Sequence, residues 1–565
     1  MRLPFAFLVK EESDDLLTQV AGNRHNLPLP HSEEKFGMSS RTCVFVARRI
    51  ITMNPSLPST THVAVRDRRI LGYGDADAVG RFADAEIDGR FADKFIMPGF
   101  VEGHCHLFEG ALWRDPYLGF FDRRGPDGRM WPGLKSIDSV VERLRQHEKR
   151  MTDADAPVSG WGFDPIFFGG RRMNRGDLDR VSTRRPVLIL HASGHIMNAN
   201  GVVLDRTGYN RDFNLDGLVR DDAGELQGPV LMQRAARVVG GFLASRALDV
   251  DDLRRFAEVA RRAGVTTATD LHNDLTDDTV AVLRQVTADP AFPLRVVPAL
   301  ASRARPLADS VARLEELRRI GGDKLYFGLV KLVVDGSIQG FTARLRWPGY
   351  HNGAPNGLWY VAPNELPQVV ETWHRAGAQL HMHTNGDEAS ELAIEAVERS
   401  LATIPRPDHR YTLQHCQMAD EALFRRMRAL GMCVDLFANH LYYWGDQHCD
   451  LTMGPARVAR LDACGTALRV GVPLAIHCDA PVTPLGPLFT AWCAVNRLSA
   501  SGRRLGEGER IGVAEALHAI TLGPAFTLKL DHLVGSIDVG KFADFAVLDE
   551  DPLAVAPEAL KDIRV

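Results

Sequence analysis

Cysteine, long apolar runs and surplus positive charge are all scarce in this chain of 565 residues. Its 8 cysteines include no Cys-x-x-Cys pair, which argues against a zinc ribbon, a thioredoxin-type motif and a disulfide framework. No apolar segment approaches the roughly 20 residues that a membrane-spanning helix needs. Lys and Arg total 67 against 72 Asp and Glu, so the net charge of −5 offers no basic surplus for nucleic acid or an anionic membrane. We therefore expect a globular protein that binds neither nucleic acid nor a membrane.

The chain is too long for one hydrophobic core and should divide into two or three units. Residues 1–37 differ from the rest, because the apolar run at residues 3–9 leads into Lys, Glu and Asp without a cleavage site. We predict a leader that is disordered or precedes a natural start at Met38, and a cytoplasmic protein. Short β runs in residues 38–94 and 530–565 predict one small β-sandwich built from both chain ends.

Residues 95–529 alternate apolar strand-like runs with amphipathic helices, which is typical of repeated βαβ units. Eight such units predict an α/β fold of the (β/α)8, or TIM-like, barrel type. The predicted strands are residues 95–104, 264–271, 294–300, 326–334, 378–384, 410–416, 431–437 and 472–479. The predicted helices are residues 251–263, 307–320, 364–377, 386–402, 419–430 and 456–470. Residues 107–250 far exceed a normal βα loop, so we expect an insert after strand one that covers the site as a lid or side wall.

Side chains suited to a metal ion stand at the ends of five predicted strands. Side chains alternate along a strand, so His104 and His106 share one face at the end of strand one. The later strands add Lys331, His383, His415 and Asp479. In a barrel these strand ends form the face that carries active sites. Each histidine alone would be an ordinary core or surface residue. The joint pattern, however, predicts a divalent metal site that binds Zn²⁺ or another first-row ion.

Lys331 is the exception in this set, because an ammonium group beside a cation inside a barrel is costly. It is either an ion-paired lysine or one whose amine has reacted with CO₂ to give a carbamate, an anionic donor able to bridge two metals. The sequence leaves both interpretations open. Cys105, Cys416 and Cys478 each adjoin a candidate ligand and would point the opposite way, so we interpret them as small core residues.

Several motifs resemble the amidohydrolase superfamily, and within it amidohydrolase family 3, which includes N-substituted formamide deformylases. The matching segments are PGFVEGHCH at 98–106, SGH at 193–195, KLVVDG at 331–336, HTNGD at 383–387, QHCQ at 414–417, CDAPV at 478–482 and residues 535–545. The resemblance covers nearly the whole chain from about residue 41. It implies one metal on His104, His106 and Asp479, a second on His383 and His415, and a carboxylated Lys331 between them. His381 and His477 are interpreted as internal residues behind the ligands.

This resemblance implies a hydrolase that cleaves an amide-like C–N bond, other than a peptide bond, in a small molecule by means of a metal-activated water. Asp479 would accept a proton from that water and return it to the leaving nitrogen. His195, in the insert, is the candidate for stabilising the developing oxyanion, with a structural turn residue as the alternative. Two other functions stay open: a single-metal deaminase with unmodified Lys331, and a catalytically silent barrel that serves as a scaffold.

Aromatic residues in loops expected to face the site predict an apolar or aryl-bearing substrate. The candidate substrate contacts are Phe163 in the insert, Trp347 after strand four, and Tyr443 and Trp444 after strand seven. The alternative is that several of them only pack the lid. The sequence leaves open the substrate, the metal ion, whether one or two ions bind, and the oligomeric state, for which a homodimer is one option.

Overall fold

Eight parallel strands form one sheet in the order in which they occur along the chain. The computed structural model describes residues 41–82, 84–194, 196–209, 223–227, 235, 238–239 and 248–565. The predicted leader and His195 lie outside these residues. We number the strands of this sheet one to eight: Phe100–Glu102, Val265–Asn273, Arg295–Ala301, Leu329–Val333, Gln379–Thr384, Thr412–His415, Cys433–Leu436 and Leu474–Ile476.

The first and last strands of this sheet also meet, just beyond their regular ends. Cys105 forms a parallel bridge with Ala480, and the backbone N–H of His106 donates to the carbonyl of Ala480 at 2.7 Å. Each of the other pairs along the sheet is parallel as well. This arrangement agrees with the predicted (β/α)8 barrel, in which the carboxyl ends of all strands lie at one face.

Amphipathic helices alternate with the strands. Val250–Arg262 shows why: Asp249 and Asp252 form a capping box at its start, and the buried residues Leu253, Phe256 and Ala260 share one helical face. The helices that follow strands two to six are Asp277–Ala288, Leu307–Leu317, Leu366–Arg375, Asp387–Thr403 and Glu421–Leu430. Strand eight is followed by Pro487–Asn496, Val513–Ala519 and Leu522–Thr527, and by the 3₁₀ turns Glu507–Glu509 and Pro557–Asp562.

The connection between strands seven and eight differs from its prediction. One helix is expected over residues 456–470, but the chain forms short helices and a π-helical turn: His440–Tyr443, Gly445–Gln447, His448–Thr452, Pro455–Val458 and Cys464–Val470. Asp462 lies in the break with a left-handed φ of +49°, and its N–H donates to the carbonyl of Gln417 at 2.9 Å. In a continuous helix that N–H would donate to a carbonyl of the same helix. Its bond to Gln417 therefore shows that a contact distant in sequence overrides the local helical pattern.

Gly99 divides the run predicted as the first strand, residues 95–104, so that prediction is wrong. Residues 95–98 end the long strand Glu86–Pro98 of another sheet, whereas Phe100–Glu102 is barrel strand one. A Cβ atom on residue 99 would lie 2.1 Å from Oγ1 of Thr266 in strand two. Only glycine allows so close a passage, and the chain changes sheets there.

The two chain ends share one sheet of five strands, in the order Phe545–Leu548, Glu86–Pro98, Cys43–Ile51, Ser59–Arg66 and Arg69–Gly74. The short helix Ala76–Val79 follows the last of these strands along one edge. The predicted union of both ends is therefore seen in this sheet. The second layer that a sandwich requires is not confirmed within the described residues.

The insert between strands one and two has a sheet of its own, in the order Glu225–Gln227, Ile196–Ala199, Val187–His191 and Val158–Phe163. A two-stranded hairpin joins Arg123–Arg124 to Met130–Trp131. The insert's helices are Glu109–Leu112, Ile137–Glu148, Arg175–Asp179 and Gly201–Thr207, with a 3₁₀ turn at Pro165–Phe168. Its apolar side chains form two clusters separate from the barrel core. Its role as a lid stays a prediction.

The largest hydrophobic core belongs to the barrel and its helices. Cys105, Cys416 and Cys478 lie in this core as buried free thiols, as their interpretation requires. Across the part of the chain that the structure describes, no helix combines the length and apolar character needed to cross a bilayer.

Candidate metal centre

Three predicted ligands from two distant segments meet at the carboxyl-terminal end of the barrel. His104 Nε2 lies 3.4 Å from Asp479 Oδ1, and His106 Nε2 lies 3.3 Å from the same oxygen. Ligand atoms placed tetrahedrally around Zn²⁺ at about 2.0–2.1 Å would lie about 3.3 Å from one another. Both histidine–carboxylate distances therefore match the spacing of ligands to one ion, and the three ligand atoms all lie within 4.8 Å of one another. The His104 side chain is 2 % exposed and that of His106 is 17 % exposed, so the group is open on one side.

A hydrogen-bond chain behind His104 fixes which of its nitrogens carries the proton. The carbonyl of Thr527 can only accept, so His381 Nε2 donates to it at 3.2 Å. His381 Nδ1 must then accept from Gln414 Nε2 at 2.8 Å, which leaves Gln414 Oε1 to accept from His104 Nδ1 at 2.7 Å. The lone pair of His104 is therefore on Nε2, the atom that faces Asp479. Such support behind a ligand is usual in metal sites, and it agrees with the interpretation of His381 as an internal residue.

His415 joins the same group from strand six. Its Nδ1 lies 3.9 Å from Asp479 Oδ2, and both of its ring nitrogens are buried without a hydrogen-bond partner among the residues that the structure describes. Buried polar atoms in folded proteins normally have partners, so an unpartnered imidazole here fits a ligand that binds a metal. His383 packs edge-on against His415, with ring centroids 4.4 Å apart.

His383 is oriented differently from the other candidate ligands. Its Nε2 lies 3.0 Å from the side-chain amide nitrogen of Asn385, which can donate to it, and 3.4 Å from the carbonyl of Gly336. That nitrogen is thus engaged by the loop after strand four. The structure brings the His383 ring beside that of His415.

His477 lies closer to the ligands than its interpretation as an internal residue implies. Its ring stacks on His104 at 4.5 Å, and ligand atoms of His104, His415 and His477 all lie within 4.8 Å of one another. Burial lowers the pKa of His477 to about 3, so the ring is neutral, and within the described part of the chain neither nitrogen has a hydrogen-bond partner. Its position two residues before Asp479, on the same face of the chain, is the sequence signal for this proximity.

Lys331 is buried inside the barrel, and no described residue forms a hydrogen bond with its Nζ. Burial lowers the pKa of Lys331 to about 7, although the carboxylates of Asp479 and Asp435 oppose that shift. A substantial fraction of this lysine is therefore a neutral amine near neutral pH. That form is the nucleophile that CO₂ requires, and it also relieves the cost of a buried cation.

Two buried acids accompany the site, and sequence reasoning missed their place in it. Asp435 lies on strand seven in register with Gln414, and burial raises the pKa of Asp435 to about 8. Burial also raises the pKa of Glu102 to about 8, and Glu102 accepts a hydrogen bond from the thiol of Cys478 at 3.1 Å. Burial thus favours the protonated form of both acids. An acid within an otherwise apolar strand, as at Asp435, was the available signal.

Two of the candidate ligands have a left-handed backbone conformation. The φ angle is +66° at His415 and +53° at Asp479. For residues with a Cβ atom this conformation costs on the order of 1–3 kcal/mol, and it concentrates at functional sites. Here it turns the chain at the ends of strands six and eight, where both side chains face the same centre.

Phe163 and Trp347, two of the predicted substrate contacts, lie in positions that do not favour that role. Phe163 is fully buried in the insert, where its ring stacks on Phe168 at 4.9 Å. Trp347 is 95 % exposed. Packing explains the first residue, and the second has too little protein around it to form a pocket wall. His195, the candidate oxyanion group, lies outside the described residues.

Tyr443 and Trp444 connect the loop after strand seven to the insert. Trp444 is 2 % exposed, and its Nε1 donates to Asp164 Oδ2 of the insert at 3.0 Å. Tyr443 packs edge-on against Phe121 of the insert at 4.9 Å. These contacts place both residues at the junction of insert and barrel, where packing and substrate contact are both compatible with the geometry.

Residues 92–565 match the model of a family described as the amidohydrolase family. The chain belongs to the amidohydrolase family. It is 26 % identical to the protein LONG AFTER FAR-RED 3 of Arabidopsis thaliana, over 88 % of this chain and 85 % of that protein. It is 24 % identical to the N-substituted formamide deformylase of Arthrobacter pascens, over 84 % of this chain and 86 % of that protein. The family expected from the motifs is thus confirmed, and membership in it supports a metal-dependent hydrolase.

A solved structure shares the fold of this amidohydrolase. An uncharacterized metal-dependent hydrolase from Pyrococcus horikoshii OT3 is similar with a TM-score of 0.70 and 21 % sequence identity. The match covers 91 % of this chain and 99 % of that chain. At this identity the likeness shows the fold alone.

Proposed function

We propose that this amidohydrolase hydrolyses an amide-like C–N bond of a small molecule with a divalent ion held by His104, His106 and Asp479. The observation that carries the proposal is the approach of both Nε2 atoms to one carboxylate oxygen, at 3.4 and 3.3 Å. Two imidazoles and a carboxylate suit Zn²⁺, which makes it the expected ion. Similarity to a protein named N-substituted formamide deformylase supports an amide-like substrate.

The ion, when bound, supplies Lewis-acid charge that polarises a carbonyl and makes a water a stronger acid. His104 would present the lone pair of its Nε2 to it, because the Gln414 chain keeps the proton of His104 on Nδ1, and His106 Nε2 faces the same oxygen of Asp479. Asp479 has Oδ1 toward these two histidines and Oδ2 toward His415. We propose that Oδ2 accepts the proton of the attacking water and then donates it to the leaving nitrogen. A nitrogen leaves poorly as an anion, so this delivery is what allows the C–N bond to break.

We also propose a carbamate on Lys331. Its neutral amine would form an N–C bond to CO₂ and release one proton, and the product carries a negative charge where the lysine carried a positive one. Burial, which lowers the pKa of Lys331 to about 7, favours the reacting form of the amine. The carbamate oxygens would add anionic donors beside His415, as a second ion would require.

A single-metal deaminase is the second candidate function. It is favoured by His383, whose Nε2 lies 3.0 Å from the side-chain amide nitrogen of Asn385 and 3.4 Å from the carbonyl of Gly336, so that this nitrogen already has polar partners. In that case one ion on His104, His106 and Asp479 would suffice, Lys331 would stay unmodified, and the nitrogen released would be ammonia. The number of metal ions bound per chain separates the two candidates.

Substrate contact remains a proposal for Tyr443 and Trp444, and oxyanion stabilisation remains one for His195. The loop after strand seven meets the insert through several aromatic rings, which favours a substrate with an apolar or aryl group. Cytoplasmic location is likewise a proposal.

The test is a comparison of apo and metal-loaded protein on a panel of N-acyl, formamide, cyclic amide and ester compounds. We expect the metal-loaded protein to hydrolyse an amide-like compound. Chelation should abolish this activity and zinc should restore it, and the His106→Ala variant should have no activity. His532→Ala is the matched control, because His532 is exposed and belongs to none of the ligand groups. Full activity after verified metal removal would refute the proposal.

A further inference from the structure

Arg123, in the insert, reaches the two chain segments that carry the proposed ligands. Its Nη1 donates to the carbonyl of Pro481 at 2.7 Å, two residues after Asp479. Its Nη2 lies 2.7 Å from Glu109 Oε1, three residues after His106. The side chains of Arg123 and Glu109 are only 3 % and 1 % exposed. One guanidinium group therefore spans the start of the insert and the chain beyond strand eight.

Three aromatic rings surround this buried cation. The guanidinium carbon lies 4.8 Å from the ring centroid of Trp161, 5.7 Å from that of Tyr117 and 5.9 Å from that of Trp113. A buried charge is tolerated only when it is paired and hydrogen-bonded, and aromatic faces add cation–π attraction. Arg123 is thus held in one place by a carboxylate, by backbone carbonyls and by an aromatic enclosure.

The segment that Arg123 holds is the turn that begins at Asp479. Asp479 has a left-handed φ of +53°, and its carbonyl accepts from the N–H of Val482 at 2.7 Å. The hydroxyl of Thr483 donates to the carbonyl of Cys478, and Asn439 donates to that hydroxyl at 2.8 Å. The carbonyl of Thr483 lies 3.4 Å from Arg123 Nη2. A strained turn keeps its shape only if its surroundings fix it, and Arg123 does so from the insert's side.

We propose that Arg123 is a positioning residue of the metal centre, which sets the spacing between the His106 segment and the Asp479 segment. The inference rests on the proposed metal function. The guanidinium is planar and rigid, so its bond to Glu109 on one side and to Pro481 on the other fixes a distance between the two segments. Ligand positions must be held to within about 0.5 Å for productive geometry. The insert thereby takes part in metal binding without providing a ligand.

Arg123→Met tests this role, with Arg143→Met as its matched control. Arg143 also lies in the insert and donates to the backbone carbonyls of Tyr117 and Pro132, at 2.8 and 2.9 Å, but these contacts stay within the insert. Zinc affinity would be measured by competition with a chromophoric chelator, and the melting temperature of the apo-proteins would report folding. We expect zinc binding about 10–100-fold weaker in Arg123→Met and unchanged in Arg143→Met.

Equal zinc affinity of Arg123→Met and the wild type would overturn the inference. If Arg123→Met does not fold, Glu109→Gln decides: it keeps the shape of the side chain but removes the charge that orients Arg123. We then expect a several-fold loss of zinc affinity, measured at a temperature at which the apo-protein is still folded, and an unchanged affinity overturns the inference. A wild type that binds no zinc would instead refute the proposed metal function, so the two failures are distinguishable.

Discussion

His104 and Gln414 are hydrogen-bonded at 2.7 Å although 310 positions separate them in the chain. The amide oxygen accepts, so the imidazole presents its other nitrogen to Asp479. This pair connects strand six to the end of strand one. It sets both the protonation and the direction of a proposed ligand before any ion binds.

Gln414→Leu removes that acceptor while keeping a side chain of similar size. We expect zinc affinity to fall about 10–100-fold, because His104 then lacks the partner that fixes its tautomer. The measurement is a zinc titration against a competing chelator. Asn496→Leu is the control, since Asn496 is a buried amide that donates to the carbonyls of Trp492 and Pro557 and takes no part in the chain from Thr527 to His104. Equal affinity losses in both variants would show that Gln414 acts only through general packing.

Asp479→Asn separates the proton transfer from metal binding. The amide oxygen can still occupy the place of Oδ1, so we expect most of the metal to remain bound. Turnover should fall by about 10²–10⁴, because an amide accepts no proton at neutral pH. Turnover and metal content would be measured on the same sample. Asp446→Asn is the control, since Asp446 accepts from Ser499 and Ser501 outside the ligand group. Near-normal turnover in Asp479→Asn would remove Asp479 from the mechanism.

Lys331 should carry the carbamate only in metal-loaded protein. With ¹³C-labelled bicarbonate we expect a carbamate carbon signal in the wild type that Lys331→Met lacks. Lys324→Met should keep the signal, because Lys324 is tied to the carbonyls of Asp289, Pro290 and Phe292. Metal-loaded wild type without that signal, with one ion per chain, would favour the deaminase.

His191 should make the stability of the insert depend on pH. Burial lowers the pKa of His191 to about 4 from 6.5, while its Nε2 lies 2.6 Å from Asn198 Oδ1. Between these values the unfolded chain binds more protons than the folded chain. The stability contributed above pH 6.5 is therefore lost as the pH falls toward 4, on the order of 3 kcal/mol at most.

His191→Gln keeps a donor for Asn198 but does not titrate. Melting temperatures of both proteins across this pH range provide the measurement. We expect the wild type to lose more stability in acid than His191→Gln does. A parallel decline of the two curves would contradict the assignment of this titration to His191.

Strand alternation and barrel polarity predict that the candidate ligands face one end of the barrel, and the Nε2 atoms of His104 and His106 lie within 3.4 Å of Asp479 Oδ1. The regular part of strand one is nevertheless only Phe100–Glu102. The chain passes close to Thr266 at Gly99 and changes there from one sheet to the other. A close approach between two strands depends on tertiary packing. The apolar run at residues 95–104 contains no local sign of it.

The supporting residues of the site could not be predicted for the same reason. Arg123 and Pro481 are 358 positions apart, and no periodic pattern connects them. Asp435 was visible as an acid in an apolar strand, but its neighbours are set by the register of strands six and seven. Sequence thus identified the donors, while the contacts that orient them depend on packing across the whole chain.

The most direct test of the metal centre is an anomalous-difference map at the zinc edge from crystals grown with zinc. The account predicts a peak about 2.0–2.2 Å from His104 Nε2, His106 Nε2 and an oxygen of Asp479. Zinc-saturated crystals with no peak between these three atoms, or with the two rings turned away from Asp479, would contradict it.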